Sequence, residues 1–263
     1  MIRKTFAWLL VAGLTGAAMQ AQTADEIINK HLQARGGKDK IKAVQSVRMT
    51  GKLVMGQGME APVVMELSRP NKMRMEFTLQ GMTGIQAYDG KAGWSVMPFM
   101  GKTEPEKMSD DEIKQAEDQA DMDGMLVDYK EKGHQVEYVG KEDVEGTPAY
   151  KLKVTKKNGD LVNVYIDADS YMEIKQAGKV KVRGQEIEGQ STFGDFKTVD
   201  GLIFPFAIEQ KAQGAPSGMT ISISKIEVNP TLEASRFAMP AAKPAAEKDK
   251  DKKDEKAPPP PKP

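Results

Sequence analysis

Apolar and polar positions alternate with a period of two along most of the chain, and helical spacing interrupts this in two places. Met49, Leu53 and Met55 share one parity against Arg48, Thr50 and Lys52. Val63, Met65 and Leu67 repeat the pattern, and Met73, Met75, Phe77 and Leu79 oppose Lys72, Arg74, Glu76 and Thr78. Such runs predict strands buried on one face. Gln57-Gly58, Pro70-Asn71, Gly81-Met82 and Asp89-Gly90 stand between them as turns, so the connections are short and the pairing antiparallel. Further strands are predicted over residues 136–139, 149–155, 161–167, 171–176, 180–187, 192–197, 202–209 and 219–228, each bounded by Gly, Asn-Gly, Asp-Ser or Pro signals.

The first helical interruption opens on Thr23 with Glu26 at capping-box spacing, continues through Ile27, Ile28, His31 and Leu32, and stops at Gly36-Gly37. A second capping box, Ser109 with Glu112, leads into Ile113, Ala116, Ala120 and Met122, and residues 125–132 predict another short helix stopped at Gly133. Roughly a dozen half-buried strands without crossover helices exclude a parallel α/β sheet. The expected fold is mainly β: one long, strongly curved antiparallel sheet whose concave face is covered by the helices.

The two ends stand apart from this pattern. Arg3 and Lys4 precede an apolar run from Phe6 to Leu14, with small residues at Gly16-Ala17-Ala18 and Ala21, as in an export signal cleaved between Ala18 and Thr23. Residues 1–22 are therefore read as a signal peptide and 23–240 as the domain, which places the mature chain in solution outside the cytoplasm. Residues 241–263 use almost only Ala, Lys, Asp, Glu and Pro and close on Pro258-Pro259-Pro260-Pro261, a composition that cannot bury enough apolar area to order itself.

Composition removes several classes of chemistry. The 38 Lys plus Arg balance 38 Asp plus Glu, which argues against a nucleic-acid partner. With no Cys, thiolate zinc sites, Cys nucleophiles and a lipid-modified N-terminal Cys are absent. No Gly-rich phosphate loop, nucleophile elbow or His-Glu-x-x-His motif occurs, and His31 and His134 lack paired-ligand spacing. Asp110-Asp111-Glu112 complements the dipole of a first helical turn, and Asp167-x-Asp169 lacks the remaining ligands of a calcium loop. No cofactor and no catalytic residue are expected.

Two features remain. Of 17 Met, 12 fall between Met49 and Met125, several on the inward parity of strands. Flexible thioethers suit a cavity that closes over ligands of differing shape, and they equally suit ordinary core filling; a soft-metal reading through Met97-Pro98-Phe99-Met100 lacks supporting Cys or His. Arg69 continues the apolar parity of Val63, Met65 and Leu67. Pointed inward it requires carboxylates, carbonyls or a wet mouth, whereas at a strand end it can snorkel to solvent.

Leu67-Ser68-Arg69-Pro70-Asn71, then Tyr88-Asp89-Gly90-Lys91 with Trp94 and Pro98-Phe99, then Phe237-Ala238-Met239-Pro240 resemble the periplasmic lipoprotein carrier LolA and the outer-membrane lipoprotein-sorting proteins. Gly194-Asp195-Phe196 and Asp200-Gly201-Leu202-x-Phe204-Pro205 resemble the broader sorting group. The resemblance spans most of residues 24–240. It implies an incomplete β-barrel with a helical lid over an apolar cavity, and a periplasmic carrier that takes an acylated lipoprotein or lipid from an inner-membrane release complex to an outer-membrane receptor. Arg69 matches the family's strand arginine, which bonds the lid in the closed state. The cavity residues so implied are Met65, Met73, Met75, Phe77, Leu79, Trp94 and Phe99, with Ile113 and Met122 from the lid. A Met-rich cavity, the Ala/Lys/Pro tail and an elaborated stretch from Gly178 to Thr198 depart from the LolA pattern. The same half-barrel serves envelope-stress regulators, so an interaction module that senses lipoproteins or envelope proteins is the alternative.

Overall fold

The structure is a computed structural model and describes residues 22–182, 185–215 and 217–241. The expected signal peptide, apart from Gln22, and the tail beyond residue 241 lie outside the described residues.

Helix α1 (Ala24–Ala34) begins at the Thr23 capping box, in which Thr23 Oγ1 accepts from the Glu26 amide and Glu26 Oε2 accepts from the Thr23 amide. Its buried face is Ile27, Ile28, His31 and Leu32. Gly36 and Gly37, both at positive φ, return their amides to Gln33 and Leu32 and end it. A short helix α2 (Lys38–Ala43) follows, for which six residues leave too little periodicity to read in advance.

Six strands then run as a meander: β1 (Ser46–Met55), β2 (Met59–Ser68), β3 (Lys72–Leu79), β4 (Met82–Tyr88), β5 (Gly93–Met97) and β6 (Lys102–Lys107). A connection containing α3 (Asp110–Ala120) leads to a second meander: β7 (Gln135–Val144), β8 (Thr147–Thr155), β9 (Leu161–Asp167), β10 (Glu173–Val182), β11 (Gln185–Val199), β12 (Leu202–Ala212) and β13 (Met219–Val228). The two meanders join by antiparallel pairing of β1 with β13, which gives a 13-stranded sheet ordered β6-β5-β4-β3-β2-β1-β13-β12-β11-β10-β9-β8-β7. β6 and β7 are the two edges and do not pair, so the curved sheet stays unclosed.

One inner face carries the main core. Val47, Leu53, Ala61, Val63, Leu152, Val154, Val164, Ile166, Phe206, Ile221, Ile223 and Ile226 from the strands bury with Ile27, Ile28, Leu32 and Ile41 from the helices. Helices and sheet thus each hide the apolar side that neither could hide alone.

Two expectations need correction. Residues 125–132 form turns, not a helix, because Asp128 adopts the left-handed conformation at φ 50° and breaks the helical run. The strand expected over residues 180–187 is a hairpin, with Val182 on β10 opposite Gln185 on β11. Val180 and Val182 stand among lysines and Ile187 between glutamates, so apolar residues recur in alternation on either side of the reversal and read as one run.

Candidate functional site

The register fixes which side chains share the concave face of β1 to β4. Met49 pairs with Met65, Met65 with Met75, Leu67 with Met73, Val63 with Phe77, and Leu79 with Met82. Met65, Met73, Met75, Phe77 and Leu79 therefore form one apolar surface. Phe99, in the turn between β5 and β6, folds back onto it, with its ring 5.4 Å from that of Phe77. Gly84 makes room for both rings: a Cβ there would lie 2.8 Å from Phe99 Cε1 and 3.0 Å from Phe77 Cζ.

The connection between the two edges of the sheet packs on this face. α3 starts at the Ser109 capping box, and Ala116 and Ala120 bury against Met73 and Tyr88, flanked by Ile113, Met75 and Leu67. Tyr88 donates its hydroxyl to Glu117 Oε1 at 3.0 Å, and burial together with that carboxylate pushes its pKa up to about 12. Met122 continues into the main core beside Met125.

Beyond α3 the strap is fastened by Arg69. Its Nη1 and Nη2 donate to Asp123 Oδ2 and Oδ1 at 3.0 and 2.6 Å, Nε donates to the Val44 carbonyl at 2.6 Å, and Nη2 donates to the Ile41 carbonyl at 3.2 Å. The guanidinium is partnered, not free in solvent, and ties the end of β2 to both the C-terminal end of α2 and the strap. Burial alone would raise the Asp123 carboxyl, but the Arg69 bonds hold it below the usual range. Lys132 adds a second tie, to Asp121 Oδ2 at 2.5 Å and the Gly124 carbonyl at 2.8 Å.

In this arrangement Met73 is buried, while Met65, Met75, Phe77 and Leu79 stay half-buried. The pocket bounded by Arg35, Ile41, Val44, Val47, Met122, Leu202 and Phe204 holds about 20 Å³, room for one water and far below the few hundred Å³ of a ligand cavity.

Trp94 is the misplaced residue. It pairs with Ala87, which pairs with Arg74, which pairs with Glu66, so all four point to the convex face. There Trp94 Nε1 donates to the Phe237 carbonyl at 2.9 Å. Trp94 and Val96 alternate with Gly93 and Ser95, and such parity ordinarily marks the core side; here the segment around Phe237 supplies apolar cover on the convex side instead.

The convex face also holds a cluster that the sequence did not reveal. Glu66, 1% exposed, accepts from Arg48 Nε at 2.9 Å and from Arg236 Nε at 2.7 Å, while Arg74 bonds Glu76 and the Arg236 carbonyl, each at 2.7 Å. This network and Trp94 pin residues 234–237 across the outside of the first meander. Polar parity on a strand normally means solvent, and only the cover supplied from 170 residues away makes Glu66 interior.

The fold class defined by these observations is an open antiparallel half-barrel crossed on its concave side by a helical strap. More specifically it is the LolA-like fold. A LolA superfamily protein from Nitrosomonas europaea superposes with TM-score 0.54 over 83% of this chain and 98% of its own, at 14% identity. A putative outer-membrane lipoprotein-sorting protein domain from Vibrio parahaemolyticus gives 0.56 over 81% and 94%, at 12% identity. A DUF1329 family protein from Desulfovibrio piger gives 0.58 over 81% and 96%, at 13% identity. No family model and no curated protein matches the chain by sequence.

Proposed function

We propose that this chain is a periplasmic carrier that binds the acyl chains of lipoproteins, or lipids, on its concave face and delivers them to the outer membrane without catalysing a reaction. The observation that carries this reading is the apolar surface of Met65, Met73, Met75, Phe77 and Leu79, crossed by a strap that packs on its Met73 end and is fastened by the Arg69–Asp123 ion pair. Release of the Arg69–Asp123 pair would let α3 move off, with Ile113 and Met122 following, and uncover that surface to cargo. A ligand shifts such an equilibrium only by its preference for the open state, so the fastening must cost little to undo. Phe99 and the unbranched thioethers can rearrange around chains of different length. The solved domain from Vibrio parahaemolyticus, described as a putative outer-membrane lipoprotein-sorting protein, supports the same role.

On this reading residues 1–22 direct export and are removed, residues 23–240 act in solution in the periplasm, and residues 241–263 are a tether. Its partners are acylated lipoproteins or lipids, an inner-membrane release complex and an outer-membrane receptor, with no nucleic acid. Among the described residues no helix is long and apolar enough to cross a membrane.

A second reading has its own support. The complete burial of Ile27, Leu152, Val154 and Val164 on the inner face fits a permanently packed core, and hence a module that senses lipoproteins or envelope proteins through its outer surface or edges. Native mass spectrometry with lipid extraction of the protein from the periplasm separates the two. Added mass matching lipid or acylated protein, lost when Met75 and Phe77 are replaced by charged residues, supports the carrier. A clean unliganded mass that persists on incubation with lipoprotein supports the module.

A further inference from the structure

Three exposed methionines sit at the tips of three alternate hairpins: Met59 (51% exposed) at the start of β2, Met82 (37%) at the start of β4, and Met100 (61%) between β5 and β6. Alternate hairpins of a meander lie at the same end of a sheet, so these tips stand in a row. With two strand spacings per hairpin they sit roughly 10 Å apart. Met59 is the register partner of Met55, and Met82 that of Leu79, on the same face as Met65 and Phe77. Met219, at the start of β13, belongs to the same end, since its neighbour Thr220 pairs with Val54.

The tip sequences are Met-Gly-Gln-Gly-Met (55–59), Leu-Gln-Gly-Met (79–82) and Met-Pro-Phe-Met-Gly (97–101), and none contains a charged residue. Turns at the other end of the same strands differ: Arg69-Pro70-Asn71 and Asp89-Gly90-Lys91-Ala92 carry charge. The charges nearest the tips neutralise each other, Lys52 with Glu60 at 2.7 Å and Lys102 with Glu106 at 2.6 Å. A row of exposed apolar side chains costs solubility and marks a contact surface.

We propose that the hairpin tips at Met59, Met82 and Met100 form a docking rim that inserts into the headgroup and acyl boundary of a neutral lipid bilayer. Uncharged polar turns carrying apolar side chains suit that boundary, where turn amides remain hydrated while thioethers enter the hydrocarbon. Thioethers on unbranched stems need no fixed complementary shape, which a fluid lipid surface does not offer. The rim is also continuous with the concave face: Phe99 beneath Met100 packs on Phe77, and Phe77 leads to Met75 and Met65. Membrane docking does not depend on the concave face holding cargo, so it stands or falls separately from the carrier reading.

Because the chain has no cysteine, single-cysteine variants report each position. Full-length M59C, M82C and M100C, each labelled with a polarity-sensitive dye, would be mixed with phosphatidylcholine vesicles that carry a lipid-borne quencher. V139C and M239C, at exposed apolar positions outside the rim, serve as controls. All three tip dyes should be quenched and neither control. Combining M59Q and M82Q should reduce quenching at position 100 by at least about fivefold, and high salt should leave it nearly unchanged. Unquenched tips, equal quenching of the controls, or a strong salt dependence would overturn the proposal. If the tips instead crosslink to one protein while remaining unquenched by lipid, the rim is a protein-docking surface and the bilayer proposal fails.

Discussion

Arg69 and Asp123 lie 54 positions apart in sequence and meet in a two-pronged ion pair that joins the end of β2 to the strap crossing the concave face. The same guanidinium also holds the Val44 and Ile41 carbonyls, so one side chain secures three segments. Bidentate geometry makes Arg the residue for this task, and Lys could not reproduce it.

Replacing Arg69 by Leu leaves the half-buried Asp123 without its main partner. Amide hydrogen exchange in residues 110–134 should accelerate at least about tenfold, with a global stability loss of about 2 kcal/mol or less. If Arg69 latches the strap, cargo release changes more than unfolding does. A large drop in the urea midpoint with unchanged release would show that Arg69 only stabilises the fold.

Gly84 is expected to tolerate no side chain without rearrangement. Gly84→Ala places a methyl against Phe99 and Phe77, so one ring must leave its position, at a cost of about 1–3 kcal/mol. Thermal unfolding checks the cost, and ring-current shifts of the two phenylalanines check which ring moves. Unchanged ring shifts at wild-type stability would show that the backbone accommodates the methyl.

His31 links stability to pH. It is 1% exposed, its Nδ1 lies 2.8 Å from the Tyr171 carbonyl oxygen, and its Nε2 has no partner among the described residues. Burial, reinforced by the charge of Arg35, lowers its pKa from 6.5 to about 4. Because the folded-state pKa is depressed, the unfolded chain binds the extra proton between these values. This contribution is therefore intact above pH 6.5 and is lost as pH falls toward about 4, to the extent of roughly 3 kcal/mol. In His31→Asn, which can still donate to the Tyr171 carbonyl, the urea midpoint should vary less over that range. An identical pH profile in the variant would assign the acid sensitivity to other groups.

Glu66 is the anchor of the convex face. Glu66→Ala removes the acceptor shared by Arg48 and Arg236, and both arginines keep enough solvent contact to limit the cost to about 2 kcal/mol. Residues 234–237 should loosen with it, so acrylamide should quench Trp94 more readily than in the parent chain. Unchanged quenching would mean that the Trp94 bond to Phe237 holds the segment by itself.

What could be read from the sequence was local. Both capping boxes and the parity of β2 and β3 depend on neighbours within a few positions, and each appears in the structure, whereas parity left Arg69 open between an inward aim and a strand end in solvent. The curved antiparallel sheet followed from the many short turns. The face of Trp94 and the burial of Glu66 were hidden because both depend on residues 234–237, far along the chain. β6, with the sequence Lys-Thr-Glu-Pro-Glu-Lys, has no apolar side and is a strand only because β5 offers it an edge. The break at Asp128 rests on a single left-handed residue that apolar spacing does not report.

The seam between β1 and β13 bears on how the chain is made. Ser224 bonds Thr50 across 174 positions, whereas within each meander every strand pairs with its immediate successor. Local hairpins can form as soon as they emerge, but the seam must wait for the last strand and bears the largest loop-closure cost of the sheet. Until then β1 presents an unpaired edge to any neighbouring polypeptide. The nascent first meander is thus the stage most exposed to aggregation, and holding it apart until residues 219–228 arrive is the service a folding helper would have to provide.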